Sequence, residues 1–144
     1  MNRLFFITLL SLFAACQPSK KVSETEEIKA LLLSQQQAWN DGNIDAFMDG
    51  YHRDSGMQFI GAKGVRFGWQ ATLNAYRKNY PTPQKMGRLV FDLDKIELLD
   101  RQGDIGHVLG RWKLIRATDT PAGHFSLITK RISGKHKIII DHTW

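Results

Sequence analysis

The stretch from Gly123 to Trp144, GHFSLITKRISGKHKIIIDHTW, decides the fold. Two runs rich in β-branched and apolar residues flank Ser133-Gly134, which is the composition and punctuation of an antiparallel hairpin. With a two-residue turn Ile132 pairs with Lys135, so Ser126 falls opposite Asp141 and Phe125 opposite His142. Successive side chains on a strand point to opposite faces, and this register sorts the hairpin in two. Phe125, Leu127, Ile138, Ile140 and His142 share one face. His124, Ser126, Ile128, Ile139, Asp141 and Thr143 share the other, apolar near the turn and polar at the far end, as expected of a pocket with a hydrogen-bonding mouth.

On that register His124 and Asp141 are diagonal neighbours, close enough for a carboxylate to orient an imidazole. They form the candidate catalytic pair, a general base for a water or an acidic C–H. A purely structural role competes with this: Asp141 bonds Ser126 and backbone groups while His142 packs on the opposite face.

Upstream, Arg88 to Leu99 and Ile105 to Ala117 are two further β-rich runs, and the segments before them are helical. Ile28, Leu31, Leu32, Gln35 and Trp39 follow three- and four-residue spacing behind an acidic first turn, a shorter helix runs from about Ile44 to Tyr51, and Trp69 to Asn79 precedes Pro81 and Pro83. A short strand, Met57 to Ile60, ends at a Gly-rich turn. Helices followed by antiparallel strands predict an α+β fold: three N-terminal helices packed on a curved, mainly antiparallel sheet that encloses a pocket. Trp39, Trp69 and Tyr76 are candidates to line it, or to be core, and Tyr51 to donate to a ligand at its rim, with Ser126 and His142 as further polar contacts. Arg111 either clamps a ligand anion from inside or is a solvated edge charge. No cofactor fingerprint is present, and no short-range spacing of His107, His124, His142 and Asp141 supports a metal.

The chain has 144 residues, 42% of them hydrophobic and 24% charged, enough for one domain with a core. Its net charge of +6 is scattered over all segments rather than gathered in a stripe, which argues against nucleic acid as a partner. Met1-Asn2-Arg3, the apolar run Leu4 to Phe13 and Ala14-Ala15-Cys16 read as a bacterial secretory signal. Cys16 is the sole cysteine, so no intramolecular disulfide can form. Residues 1–16 are thus expected to be a signal segment, 17–25 a polar tether and 26–144 the domain.

The motifs WNDGNIDAF at Trp39 to Phe47, GWQ at Gly68 to Gln70, GHFSLI and IIIDHT resemble the nuclear transport factor 2-like superfamily, and together its SnoaL-like branch of exported bacterial lipoproteins of unknown function. The resemblance implies a cone-like, cystatin-like roll around a cavity. The N-terminus likewise resembles a lipoprotein signal, which implies lipidation at Cys16 and anchoring in the cell envelope, on the periplasmic side in a Gram-negative cell. The expected function is to bind an unknown small, largely apolar molecule. One alternative is a cofactor-independent hydrolase, isomerase or dehydratase using the His–Asp pair; another is a homodimeric assembly module with Phe125, Leu127, Ile138 and Ile140 as its interface. In the steroid-isomerase members the oxyanion tyrosine, general base and protonated acid would fall at Gln35, Phe59 and about Ser126. All three differ here, and a phenyl ring abstracts no proton.

Overall fold

The computed structural model describes residues 23–144, so Cys16, the signal segment and most of the tether lie outside the described part. Helix α1, Glu24–Asn40, begins where Ser23 Oγ accepts from the Glu26 N–H at 3.3 Å, with Glu24, Glu26 and Glu27 against the positive end of the helix dipole. It buries Ile28, Leu32, Gln35 and Trp39 along one stripe, as their spacing predicts. Asn43 caps α2, Ile44–Met48, by accepting from Ala46 N–H.

That second helix is shorter than its sequence suggests because the chain after it is claimed by the sheet. The Ile138 N–H donates to Gly50 O and the His52 N–H to Ile138 O, both at 2.9 Å, which draws Tyr51 alongside the last strand. Next come β1, Gln58–Gly61, and β2, Gly64–Phe67, a hairpin in which only the first strand is apparent from sequence. Helix α3, Trp69–Asn79, has the bounds expected of it. Pro83 does not merely stop a helix. It opens the single turn α4, Pro83–Met86, near whose start a missing N–H costs nothing.

Strands β3, Arg88–Leu98, β4, Ile105–Ile115, β5, Ala122–Ile132, and β6, Lys135–Thr143, complete a six-stranded sheet of order β2-β1-β6-β5-β4-β3. All neighbours are antiparallel except β1 and β6. The helices cover the concave face, and the core lies between, built on Ile28, Leu32, Met48, Val108, Leu127 and Ile138. This is the α+β cone expected from the sequence, with one strand, β2, beyond the four long runs and the short strand predicted at Met57 to Ile60.

The hairpin turn is as predicted, Ile132 against Lys135, but the register is not kept to its far end. Thr129 pairs with Ile138 and Ile128 with Ile140, so Ile139 is an extra residue, a β-bulge. It sits where β6 exchanges partners, from the Gly50–His52 segment at Ile138 to β1 at Ile140. Beyond it Asp141 faces Leu127, His142 faces Ser126 and Thr143 faces Phe125. Every side chain after the bulge therefore points opposite to the strict alternation read from the sequence.

The other end of the cone is tied by a polar cluster. Arg131 donates to Glu27 Oε2 at 2.9 Å, the His136 N–H donates to Glu27 Oε1 at 2.9 Å, and the buried His136 ring lies between Thr129 Oγ1 and Gly103 O. The bonds that Glu27 accepts from His136 and Arg131 outweigh its partial burial and lower the pKa of its carboxyl, so this tie between α1 and the hairpin weakens as the solution becomes acidic.

Candidate active site

Between the sheet and α1–α3 lies a cavity of about 260 Å³. Its walls are aromatic: Trp39, Phe47, Phe59, Tyr76, Tyr80 and Phe125 line it, and the rings meet mostly edge to face, as in Trp39 on Tyr80 with centroids 4.8 Å apart. The size, just below the usual range for ligand pockets, suits a molecule of one or two rings.

One carboxylate lines this chamber among the described residues, that of Asp141, which is 4% exposed. Tyr51 Oη donates to its Oδ2 at 2.6 Å and Thr143 Oγ1 donates to Oδ1 at 3.0 Å. The bulge turns Asp141 inward and the Tyr51–Ile138 bridge brings the phenol to it, so two backbone irregularities build the pair. Burial pushes the Asp141 carboxyl up to about 6, against the pull of the two hydroxyl donors. Burial first, and then the neighbouring Asp141 charge, raise the Tyr51 and Tyr76 phenols, so both remain proton donors at neutral pH. A carboxyl raised toward neutrality, bonded by one phenol with a second phenol beyond it, has the properties of an acid/base centre.

Tyr51→Phe tests the pair. Loss of a donor to a buried carboxylate is expected to cost ~2 kcal/mol by urea unfolding at about pH 8, where Asp141 is ionised, and clearly less at about pH 4. An equal loss at both pH values would show that the phenol does not stabilise the charge.

The candidates divide on either side of the sheet. Trp39, Tyr51, Tyr76 and Asp141 line the cavity. His124 does not: β5 turns Phe125 and Leu127 inward, so His124 projects from the convex face and stacks on Trp144. The His124–Asp141 pair is therefore absent, because the bulge sends its two members to opposite faces. His142 is exposed beside Trp144 for the same reason. Ser126, also convex, bonds His107 Nε2 at 2.9 Å, while His107 Nδ1 lies 3.1 Å from Glu97 Oε1. That row of acid, imidazole and hydroxyl runs across β3, β4 and β5 on the convex face, away from the cavity.

Arg111 lies outward on β4, ion-paired to Asp92 and Asp94. Trp69 is outside the cavity as well. Its Nε1 donates to Met48 O at 2.8 Å and the Arg53 guanidinium covers its ring. Of the expected subunit interface, Phe125, Leu127 and Ile138 are buried against the helices instead, and Ile140 is half-buried. Among the described residues no cluster of three His, Cys, Asp or Glu is arranged to hold a metal ion.

No family model and no curated protein matches the sequence. Solved structures do. A nuclear transport factor 2-like protein of unknown function from Shewanella oneidensis is 39% identical, with a TM-score of 0.80 over 84% of this chain and 98% of that one. The chain belongs to the nuclear transport factor 2-like family. A cystatin-like domain of unknown function from Nostoc punctiforme (16% identity, TM-score 0.71, 86% of this chain and 78% of that one) shares the fold. So does a ketosteroid isomerase-like protein from Erwinia carotovora (13%, TM-score 0.64, 83% and 94%).

Within this nuclear transport factor 2-like cone, Gln35 and Phe59 face the cavity, as the family comparison implied, whereas Ser126 does not. Asp141 pairs across the parallel β1–β6 ladder with Phe59. Both side chains thus face the cavity from adjacent strands. Two functional features escaped the sequence: the Tyr51–Asp141 bond, joining residues 90 apart in the chain, and Arg66 at the cavity edge. Period-two spacing of Phe59 and Gly61 opposite Gly64 and Arg66 was the available signal for the latter.

Proposed function

We propose that the protein is an exported, lipid-anchored domain of the SnoaL-like kind that binds a small, largely apolar molecule in its aromatic chamber, with a polar group of the ligand at Tyr51 and Asp141. The observation that carries this reading is the chamber itself, mainly aromatic and aliphatic in its lining and furnished with one hydrogen-bonded acid. Native mass spectrometry of the chain purified without detergent tests it. A small molecule that co-purifies and is released on denaturation is the expected result. An empty chain that also gains no thermal stability from a panel of one- and two-ring compounds would overturn it. The anchor rests on the lipoprotein-like signal ending at Cys16, and an unmodified Cys16 in the membrane-extracted protein would remove it.

A second reading has its own support in the position of Asp141 beside Phe59. In it the protein is a cofactor-independent isomerase, hydrolase or dehydratase, with Asp141 rather than a His–Asp pair as base and Tyr51 or Tyr76 as hydrogen-bond donor to the developing negative charge. Asp141→Asn would then abolish turnover while the ligand still binds. Pairing of two copies through the convex face, where Ile128 and Ile140 are half-buried, belongs to the same proposal and is checked by sedimentation.

A further inference from the structure

Resting on the cavity reading above, we propose that the occupant is an organic anion, a one- or two-ring carboxylate whose charged group is held at the mouth by Arg66 and Lys63 while its rings fill the chamber and its far end meets Tyr51 and Asp141.

The argument begins with register. Arg66 on β2 pairs with Phe59 on β1, so both side chains leave the sheet on the concave side. The Arg66 guanidinium lies 5.6 Å from the centroid of the Phe59 ring, half-buried at the cavity edge. Lys63 stands in the turn between these strands, where Gly64 at φ +101 reverses the chain, and it too lines the opening. Two cations therefore border a chamber whose other walls are mainly apolar.

Arg53, Arg77, Arg111, Arg116 and Arg131 are each tied to a carboxylate. Among the described residues Arg66 and Lys63 have none. Arg88 and Arg101 also lack a carboxylate partner among the described residues but stand exposed elsewhere, whereas Arg66 and Lys63 are the two cations that line the cavity. Asp141, the one acid lining the chamber, has both oxygens engaged, by Tyr51 and Thr143. A guanidinium held against an aromatic face keeps its fork of N–H donors in one orientation, which suits a planar carboxylate bonded at two points. Low-dielectric walls concentrate the positive potential of such a mouth and draw an anion toward it. A neutral apolar ligand would leave both cations unused, and a cation would be repelled.

The test uses 2-naphthoate and its neutral counterpart 2-naphthamide, followed by quenching of Trp39 and Trp112, which both line the chamber. The protein is the chain from Gln17 onward, which holds every described element of the fold. At neutral pH and low salt, 2-naphthoate is expected to bind about tenfold more tightly than the amide, the scale of one charge-assisted bidentate contact. Arg66→Met should bring the two dissociation constants together, Arg66→Lys should restore part of the gap, and Lys63→Gln should narrow it. Thermal melts confirm that each variant is folded. Raising salt from about 20 mM to about 500 mM should weaken only the naphthoate, through screening. Equal affinities for the two probes, or a preference that survives Arg66→Met, would overturn the anionic ligand and leave the chamber as a neutral binding site. Binding of neither probe would overturn the inference, and the cavity reading falls with it if the chain also purifies empty and no compound of the one- and two-ring panel stabilises it.

Discussion

Replacing Asp141 by Asn makes the protein more stable in mildly alkaline solution, and the advantage fades as the solution is acidified. The reason is the raised carboxyl of Asp141. Its displacement from the ordinary 3.8 to about 6 means that ionising it costs more in the folded chain than in the unfolded one, by about 3 kcal/mol. A group whose folded value lies above its unfolded value binds more protons in the folded state. Its contribution to stability is complete below about pH 4 and lost as pH rises through about 6. Asparagine keeps the shape and an acceptor for Tyr51 but has no charge to bury. The stability difference between variant and wild type should therefore widen in favour of the variant by up to about 3 kcal/mol from about pH 4 to about pH 8, as read by urea unfolding. A difference that does not change with pH would mean that Asp141 is solvated. A charge retained at such a cost, where an amide would fit, is what a binding or catalytic group looks like.

Trp39→Ala is expected to lose about 3–5 kcal/mol, the range for truncating a buried indole. Trp39 is 3% exposed although it lines the cavity, so nearly all of its ring is in contact with protein. It packs edge to face on Phe47, Tyr76 and Tyr80, and its Nε1 donates to Met86 O, which ties α1 to the turn before β3. Truncation merges the volume of the ring with the existing chamber, and the surrounding aromatics relax only in part. Added indole should recover some of the lost stability by occupying the enlarged space. A loss below about 1 kcal/mol would show that the wall closes over the gap and that Trp39 does not define the chamber.

The parts of the fold that depend on local chemistry were legible in the sequence. The stripe Ile28, Leu32, Gln35 and Trp39, the Asn43 cap, the bounds of α3 and the Ser133-Gly134 turn each follow from spacing or from a single residue type. The parts that depend on tertiary competition were not. Helix α2 stops early because Ile138 takes the backbone of Gly50 and His52. Strand β2 is only four residues long, mostly exposed, and carries an arginine at its centre. The bulge left no trace because Ile138, Ile139 and Ile140 are identical, so nothing in their order says which of them drops out of the ladder. From that one invisible choice came the errors in the hairpin: Asp141 lies in the pocket as expected, while His124, Ser126 and His142 belong outside it; the outward placement of Trp69 and Arg111 is independent of the bulge.

Near the end of β6 the chain offers an acid and an imidazole side by side, Asp141 and His142, and Ile139 decides which of them the interior receives. If that residue were drawn back into the ladder, the strand would change phase and Asp141 would give way to His142 without any substitution in the chamber. A fold that carries such a frame shift in one backbone kink can change the reactive group it presents through a single insertion or deletion that replaces no residue of the chamber wall, a route to new chemistry that comparison of aligned residues alone would overlook.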